Sequence, residues 1–342
     1  MGGVMLFRSN IQAPAQVASL VAAIRGAVGA HAPSPCLVAT DQEGGLVQRL
    51  RAPLTVWPDM LSVGAAGDPA RTEQVGRAMG AELAALGIGW DFAPVLDVHT
   101  NPDNPVIGNR AFGRTAEAVT THALAFWRGL RSVGVLGCGK HFPGHGDTRT
   151  DSHLELPVVD HPVERLRQVE LSPFGAAARA GIDAIMTAHV SFPALDADWP
   201  ATLSHRILTG ILRQTLGFPG VIVSDDLGMK AVADRYSIEE LAVRAVAAGA
   251  DMLLIRGPVG AQVRAFEALV RAAERDQSLR ARIDESAARV AAMKAAGRVG
   301  VPAPSAMLPS LLGTPAHRAL ADSFARVGEV RSPVAASAVS DS

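Results

Sequence analysis

The chain has 342 residues, 48% of them hydrophobic and 19% charged, with a formal net charge of -1 and a sequence pI near 6.8. That is ample apolar material for a globular core. A balance so close to zero offers no broad basic surface, which argues against nucleic acid and anionic membrane as partners.

Short runs rich in Val, Ile and Leu alternate with longer amphipathic stretches rich in Ala, Arg and Glu, the pattern of parallel strands joined by helices. Strands are expected at 3–7, 36–40, 89–96, 134–140, 184–188, 221–224 and 252–255. Helices are expected at 13–30, 69–86, 116–132, 162–180, 204–215, 237–248 and 259–274, with more helix from 279 to 296. The fold class this predicts is α/β, a single TIM-type (β/α)8 barrel over residues 1–300. Such a barrel closes with eight strands, and seven are found here, so the first strand is expected to be missing from this sequence. Residues 301–326 read as a helical extension. Residues 327–342, rich in Ser and Ala without periodicity, read as a disordered tail. Cys36 and Cys138 fall in strand-like runs and are expected to be buried and reduced. The start has no charged leader followed by a long apolar stretch and no later run reaches membrane-spanning length, so a cytoplasmic protein is expected.

In a barrel of this kind chemistry collects at the carboxyl ends of the strands. The second strand ends in Asp41-Gln42-Glu43-Gly44-Gly45, with Arg49 soon after, and the third in Asp97, followed by Asn109-Arg110-Ala111-Phe112-Gly113. The fourth ends in Lys140-His141-Phe142-Pro143-Gly144-His145-Gly146-Asp147-Thr148, leading to Asp151-Ser152-His153. The fifth ends near His189, and the sixth runs into Ser224-Asp225-Asp226-Leu227-Gly228-Met229. Asp151 and His153, two apart, would point to one side of an extended segment. The carboxylate would then orient the imidazole and favour its protonated form, as a general acid requires. A carboxylate at 225 or 226 on the end of a buried strand is rigidly aimed, as a nucleophile must be; one member of that pair reads as a turn or capping residue. Asp41, Arg49, Arg110, Lys140 and His141 read as a clamp for sugar hydroxyl and amide oxygens, with a structural ion-pair network as the plain alternative for the two arginines.

The 140–153 segment, the Asp-Gln-Glu-Gly-Gly block, the Asn-Arg-Ala-Phe-Gly block and the Ser-Asp-Asp-Leu-Gly-Met block together resemble the β-N-acetylhexosaminidases of glycoside hydrolase family 3, of the NagZ type, over about residues 3–300. The resemblance implies a retaining, exo-acting enzyme with Asp225 as nucleophile, His153 as acid/base and Asp151 as its partner. It implies that Asp41, Arg49, Arg110, Lys140 and His141 bind the sugar. The implied substrates are N-acetylglucosamine-containing glycosides, muropeptides of cell-wall recycling or chitooligosaccharides, handled by a monomer without cofactor or metal. Family members begin with a strand upstream of the Gly-Gly-Val-Met-Leu-Phe segment, which agrees with the count of seven, and Gly228 stands where Ser or Asn is more usual.

Other readings are a β-glycoside phosphorylase or β-glucosidase of the same family, an inactive sugar-binding barrel, and a metal-dependent hydrolase using His141, His145, Asp147, Asp151 and His153. The last is disfavoured because Pro143 and Gly144 forbid a helix that would align the two histidines.

Overall fold

The computed structural model describes residues 2–29, 36–152, 154–297 and 300–324. Seven strands run through it: β1 (Gly3–Leu6), β2 (Leu37–Thr40), β3 (Trp90–Asp91), β4 (Leu136–Phe142), β5 (Ala184–Thr187), β6 (Val221–Asp226) and β7 (Met252–Leu254). They form one sheet in which neighbours are parallel and spatial order equals chain order. Each crossover between them carries helix, as parallel pairing requires.

Successive side chains on a strand point to opposite faces, and here the two faces separate cleanly. Leu37 and Ala39, Leu136 and Cys138, Ala184 and Met186, and Val221 and Val223 pack in one cluster with Trp90, Phe92, Met5, Met252 and Leu254. Their chain neighbours Leu6, Val38, Ile185 and Ile222 belong to a second, larger cluster shared with the helices. The sheet therefore curls around the first cluster while helices cover its outer face, the arrangement of an α/β barrel. Both cysteines are free and buried.

The two ends of the sheet come to face one another. A Cβ placed on Gly2 would lie 2.5 Å from Met252 Cε, and Arg256 Cζ sits 4.9 Å from the centre of the Phe7 ring. Among the described residues β1 and β7 share no ladder, and β7 is half-buried where β2 to β5 are fully buried.

Several helix starts carry a side-chain cap that satisfies otherwise unpaired amides. Asp68 caps Pro69–Ala85, Thr115 caps Ala116–Ser132, and Ser237 with Glu240 forms a capping box for Ile238–Ala248. Several elements differ from expectation. The expected 162–180 helix is two, Val163–Gln168 and Leu171–Ala180. Pro173 explains the break, since its ring opposes the carbonyl of Val169 four residues earlier. The third strand shrinks to two residues because Pro94 cannot donate to a ladder; the chain stays alongside β4 through Leu96 N–H donating to the Lys140 carbonyl at 2.7 Å. Arg206–Thr215 is wound as a π-helix. A small antiparallel pair, Gln42–Gly44 with Val47–Gln48, was not anticipated.

Beyond residue 300 the chain folds back onto the barrel. Glu82, buried in helix Pro69–Ala85, accepts from Gly313 N at 2.9 Å, His317 Nδ1 at 2.8 Å and Thr55 Oγ1 at 2.6 Å. The expected disordered tail, 327–342, lies outside the described residues.

Candidate active site

The inward parity of the strands continues past the apolar layer into polar residues. Leu37 and Ala39 are followed by Asp41, Leu136 and Cys138 by Lys140, and Val221 and Val223 by Asp225. These three line one cavity of about 140 Å³ together with Glu43, Arg49, Arg110, His141, His145, Asp151 and Ser152. A larger groove of about 1000 Å³ lies against the helices Ile238–Ala248 and Val259–Arg275 and the 196–206 segment. It contains no residue from a strand end, so the smaller cavity is the candidate site.

A continuous lattice of charge forms one wall. Arg49 Nη2 reaches Asp41 Oδ2 at 3.2 Å. Lys140 Nζ bridges Asp41 Oδ1 at 2.8 Å and Glu43 Oε1 at 2.5 Å. Arg110 donates to both oxygens of Glu43, Nε at 2.8 Å and Nη2 at 2.9 Å. His141 Nδ1 contacts Asp97 Oδ2 at 2.7 Å, and the Asp97 carboxylate also accepts from the His141 and His145 amides. The two readings of Arg49 and Arg110, clamp and ion-pair network, are thus compatible: each is paired to a carboxylate and each faces the cavity. Cis peptide bonds join Lys140 to His141 and Phe142 to Pro143.

Burial alone would raise the Glu43 carboxyl, yet Arg110 and Lys140 outweigh it and hold the group far below the usual carboxylate range. Burial would likewise lower Lys140, but Asp41 and Glu43 keep it charged, with its pKa above the ordinary value. Asp97, also buried, is held down by His141 and by its hydrogen bonds. Beneath this wall Asp91 accepts from Gln42 N–H at 2.9 Å, and burial pushes its carboxyl well above the ordinary range.

The aspartate pair at the end of β6 divides its work. Asp226 Oδ1 accepts from Gly228 N at 2.9 Å and Arg256 N at 3.0 Å, and its carbonyl meets His189 Nε2 at 2.9 Å. It is the turn-forming member. Asp225, at the inward position, borders the cavity, and its Oδ1 accepts the adjacent Asp226 N–H at 2.8 Å. His189 is a supporting residue, its Nδ1 lying 2.8 Å from Thr202 Oγ1.

The loop after β4 brings Asp151 and Ser152 over the cavity. His153 lies outside the described residues. Among the described residues beside it, the Asp151 carbonyl accepts from Leu154 N at 2.9 Å and Glu155 N at 3.1 Å. Gly146 allows the loop to lie close, since a Cβ there would fall 1.9 Å from the Val98 carbonyl oxygen. Asn101 and Asn104 Nδ2 both donate to the Thr148 carbonyl at 3.1 Å, and Asp147 is paired with His161. Among the described residues no group of three or more His, Cys, Asp or Glu could hold a metal ion.

From the sequence, Glu43, Asp97 and Asp91 carry no assigned site role, and His145 enters only as a ligand in the disfavoured metal-dependent alternative. Glu43 carried a usable signal, since it stands two residues after Asp41 and shares its parity. The other three are drawn in by contacts that no local pattern encodes.

The chain matches the glycosyl hydrolase family 3 N terminal domain over residues 1–293. It is 38% identical to the beta-hexosaminidase A of Pseudoalteromonas piscicida, over 94% of this chain and 57% of that protein. A glycoside hydrolase family 3 beta-N-acetylglucosaminidase from a Paenibacillus species is 43% identical, with a TM-score of 0.88 over 95% of this chain and 62% of that one. Native NagZ from Neisseria gonorrhoeae is 33% identical, with a TM-score of 0.75 over 95% of this chain and 90% of that one. The chain thus spans less than two thirds of the length of the first two of these relatives. Because the match runs through every strand of the barrel and every block that builds the cavity, the chain belongs to glycoside hydrolase family 3.

Proposed function

We propose that the chain is a retaining β-N-acetylhexosaminidase that removes terminal N-acetylglucosamine from glycosides, working by double displacement. The observation that carries this reading is the position of Asp225, inward on the end of β6, bordering the same cavity as Asp151 and the charged wall. Its carboxylate attacks the anomeric carbon as the bond to the leaving oxygen breaks, and His153 gives that oxygen its proton. In the second step His153 takes a proton from water, whose oxygen displaces Asp225 and restores the carboxylate. Asp151 orients the imidazole and stabilises its charged form. Asp41 and Arg49 take the sugar hydroxyls, while Arg110, Lys140 and His141 hold the floor and donate to hydroxyl or acetamido oxygens. The acetamido preference is supported by the relatives, which are hexosaminidases or N-acetylglucosaminidases. Muropeptides met during cytoplasmic cell-wall recycling are the substrates we propose on the resemblance to the NagZ type.

The test compares an aryl N-acetyl-β-glucosaminide with the matching glucoside, using the parent, Asp225→Ala and His153→Ala. The parent is expected to prefer the acetamido sugar, and Asp225→Ala to lose roughly 10³-fold or more of its activity. Preference for the glucoside, or full activity in Asp225→Ala, would overturn the reading.

A further inference from the structure

We propose that His145 is a positioning residue that sets the proton-transfer loop in register with the sugar wall by holding Ser152. The inference rests on the reading of Asp151 and His153 as the proton-transfer pair.

His145 is almost completely buried, and every polar atom it owns is engaged. Its amide donates to Asp97 Oδ1 at 2.6 Å and its carbonyl accepts from Asn104 Nδ2 at 2.9 Å. Nδ1 lies 2.8 Å from Thr148 Oγ1, and Nε2 lies 3.0 Å from Ser152 Oγ. Ser152 is itself buried and stands between Asp151 and His153 in the chain. One side of His145 is therefore fixed to the barrel and the other to the residue flanked by the proton-transfer pair.

The ring is held neutral, since burial and the neighbouring His141 push its pKa down to about 4. A neutral imidazole has one donor and one acceptor nitrogen. The Thr148 hydroxyl is within 3.2 Å of the His145 carbonyl and can donate there, which leaves its oxygen to accept from Nδ1–H. Nε2 then accepts from the Ser152 hydroxyl. Asp97 connects this peg to the wall, because it also binds His141, whose Nε2 lies 3.5 Å from Arg110 Nη2. The ring orientation of a buried, fully bonded histidine is preorganised, which is what a group carrying a proton donor needs from its support.

The experiment exploits the leaving group. Expulsion of an alkoxide or sugar oxygen needs a proton, whereas expulsion of 2,4-dinitrophenolate does not. Ser152→Ala and His145→Phe are expected to lower kcat/KM on an alkyl or disaccharide N-acetyl-β-glucosaminide about 10-fold to 100-fold, and on the 2,4-dinitrophenyl glycoside by no more than about threefold. With the activated substrate kcat and KM should fall together, because the glycosyl-enzyme accumulates when water is poorly deprotonated. Azide, which attacks without losing a proton, should restore kcat. The double variant should be no worse than the weaker single one, as expected of residues acting through one contact, and His145→Gln, which keeps a terminal amide near the Nε2 position, should recover part of the loss. Ser152→Ala removes a single oxygen, so it remains informative if His145→Phe does not fold. Equal losses on both substrates, or additive losses in the double variant, would overturn the proposal. Failure of the underlying reading looks different: Asp225→Ala would then keep its activity on both substrates.

Discussion

Arg110 grips Glu43 with two parallel hydrogen bonds, Nε to Oε2 at 2.8 Å and Nη2 to Oε1 at 2.9 Å, while Lys140 closes on the same carboxylate from β4. Glu43 and Lys140 are buried and the Arg110 side chain is 12% exposed, so removing the anion leaves two cations close together with their shared counter-charge gone. Glu43→Ala is expected to cost about 3–5 kcal/mol of stability, read by denaturant unfolding. The pH dependence has a definite sign. The folded-state pKa of Glu43 lies below the unfolded carboxylate value of about 4.3, so its stabilisation is present above that value and is lost as pH falls below it. Glu43→Gln should therefore be less stable than the parent near neutrality, and the gap should narrow in acid. A constant gap down to low pH would contradict this account.

Asp41 and Arg49 face each other across 3.2 Å at the cavity mouth, both with side chains 11% exposed. The pair is open enough for a sugar hydroxyl to join it. Loss of a hydrogen bond to a charged group costs about 1.5–3 kcal/mol, so Arg49→Ala should lower kcat/KM about 10-fold to 100-fold. The effect should fall mainly on KM if Arg49 binds ground state and transition state alike. Steady-state kinetics on the aryl acetamido glycoside decides it, and an unchanged KM and kcat would remove Arg49 from the clamp.

Asp91 lies under the charged wall with a carboxyl that burial keeps protonated above its ordinary range. For a carboxyl raised in the folded state, stability falls as pH climbs from the unfolded value of about 3.9 through the folded one. Asp91→Asn removes that dependence while keeping the shape. It is expected to fold with an unfolding midpoint equal to or above that of the parent at neutral pH, and to gain relative stability as pH rises. A marked loss of stability at neutral pH would mean that the carboxylate is charged in place.

Asp251 anchors the helix Gln277–Ala296 to the sheet. Arg213 and Arg282 pair with it, Arg289 Nη1 lies 3.3 Å away, Ser286 Oγ 3.0 Å away, and Ile222 N donates to it at 2.9 Å. Asp251→Ala removes the buried carboxylate shared by three arginines and should cost about 3–5 kcal/mol. None of these residues borders the candidate cavity, so the folded fraction should keep its KM. Thermal unfolding alongside kinetics separates the two effects, and a raised KM with normal stability would overturn the assignment.

The strand order, the helices between the strands and the polar strand ends were legible in the sequence because each follows from a local period. Alternation by two places Leu37, Ala39 and Asp41 on one face, and it does the same for Val221, Val223 and Asp225. That same parity separates Asp225 from Asp226, which the sequence reading resolved only through family resemblance. Pro173 and Pro94 were equally visible, and each marks the place where an expected element breaks or thins.

What only the tertiary structure decided is which charges are paired. Glu43 meets Arg110 across 67 positions and Lys140 across the barrel mouth, and Glu82 binds residues more than two hundred positions away. His145 has no period to betray it, and its role depends on Asp97 and Ser152 arriving from different loops. Local sequence fixes the direction in which a side chain leaves the backbone, whereas the cost of burying a charge depends on what the rest of the chain brings against it.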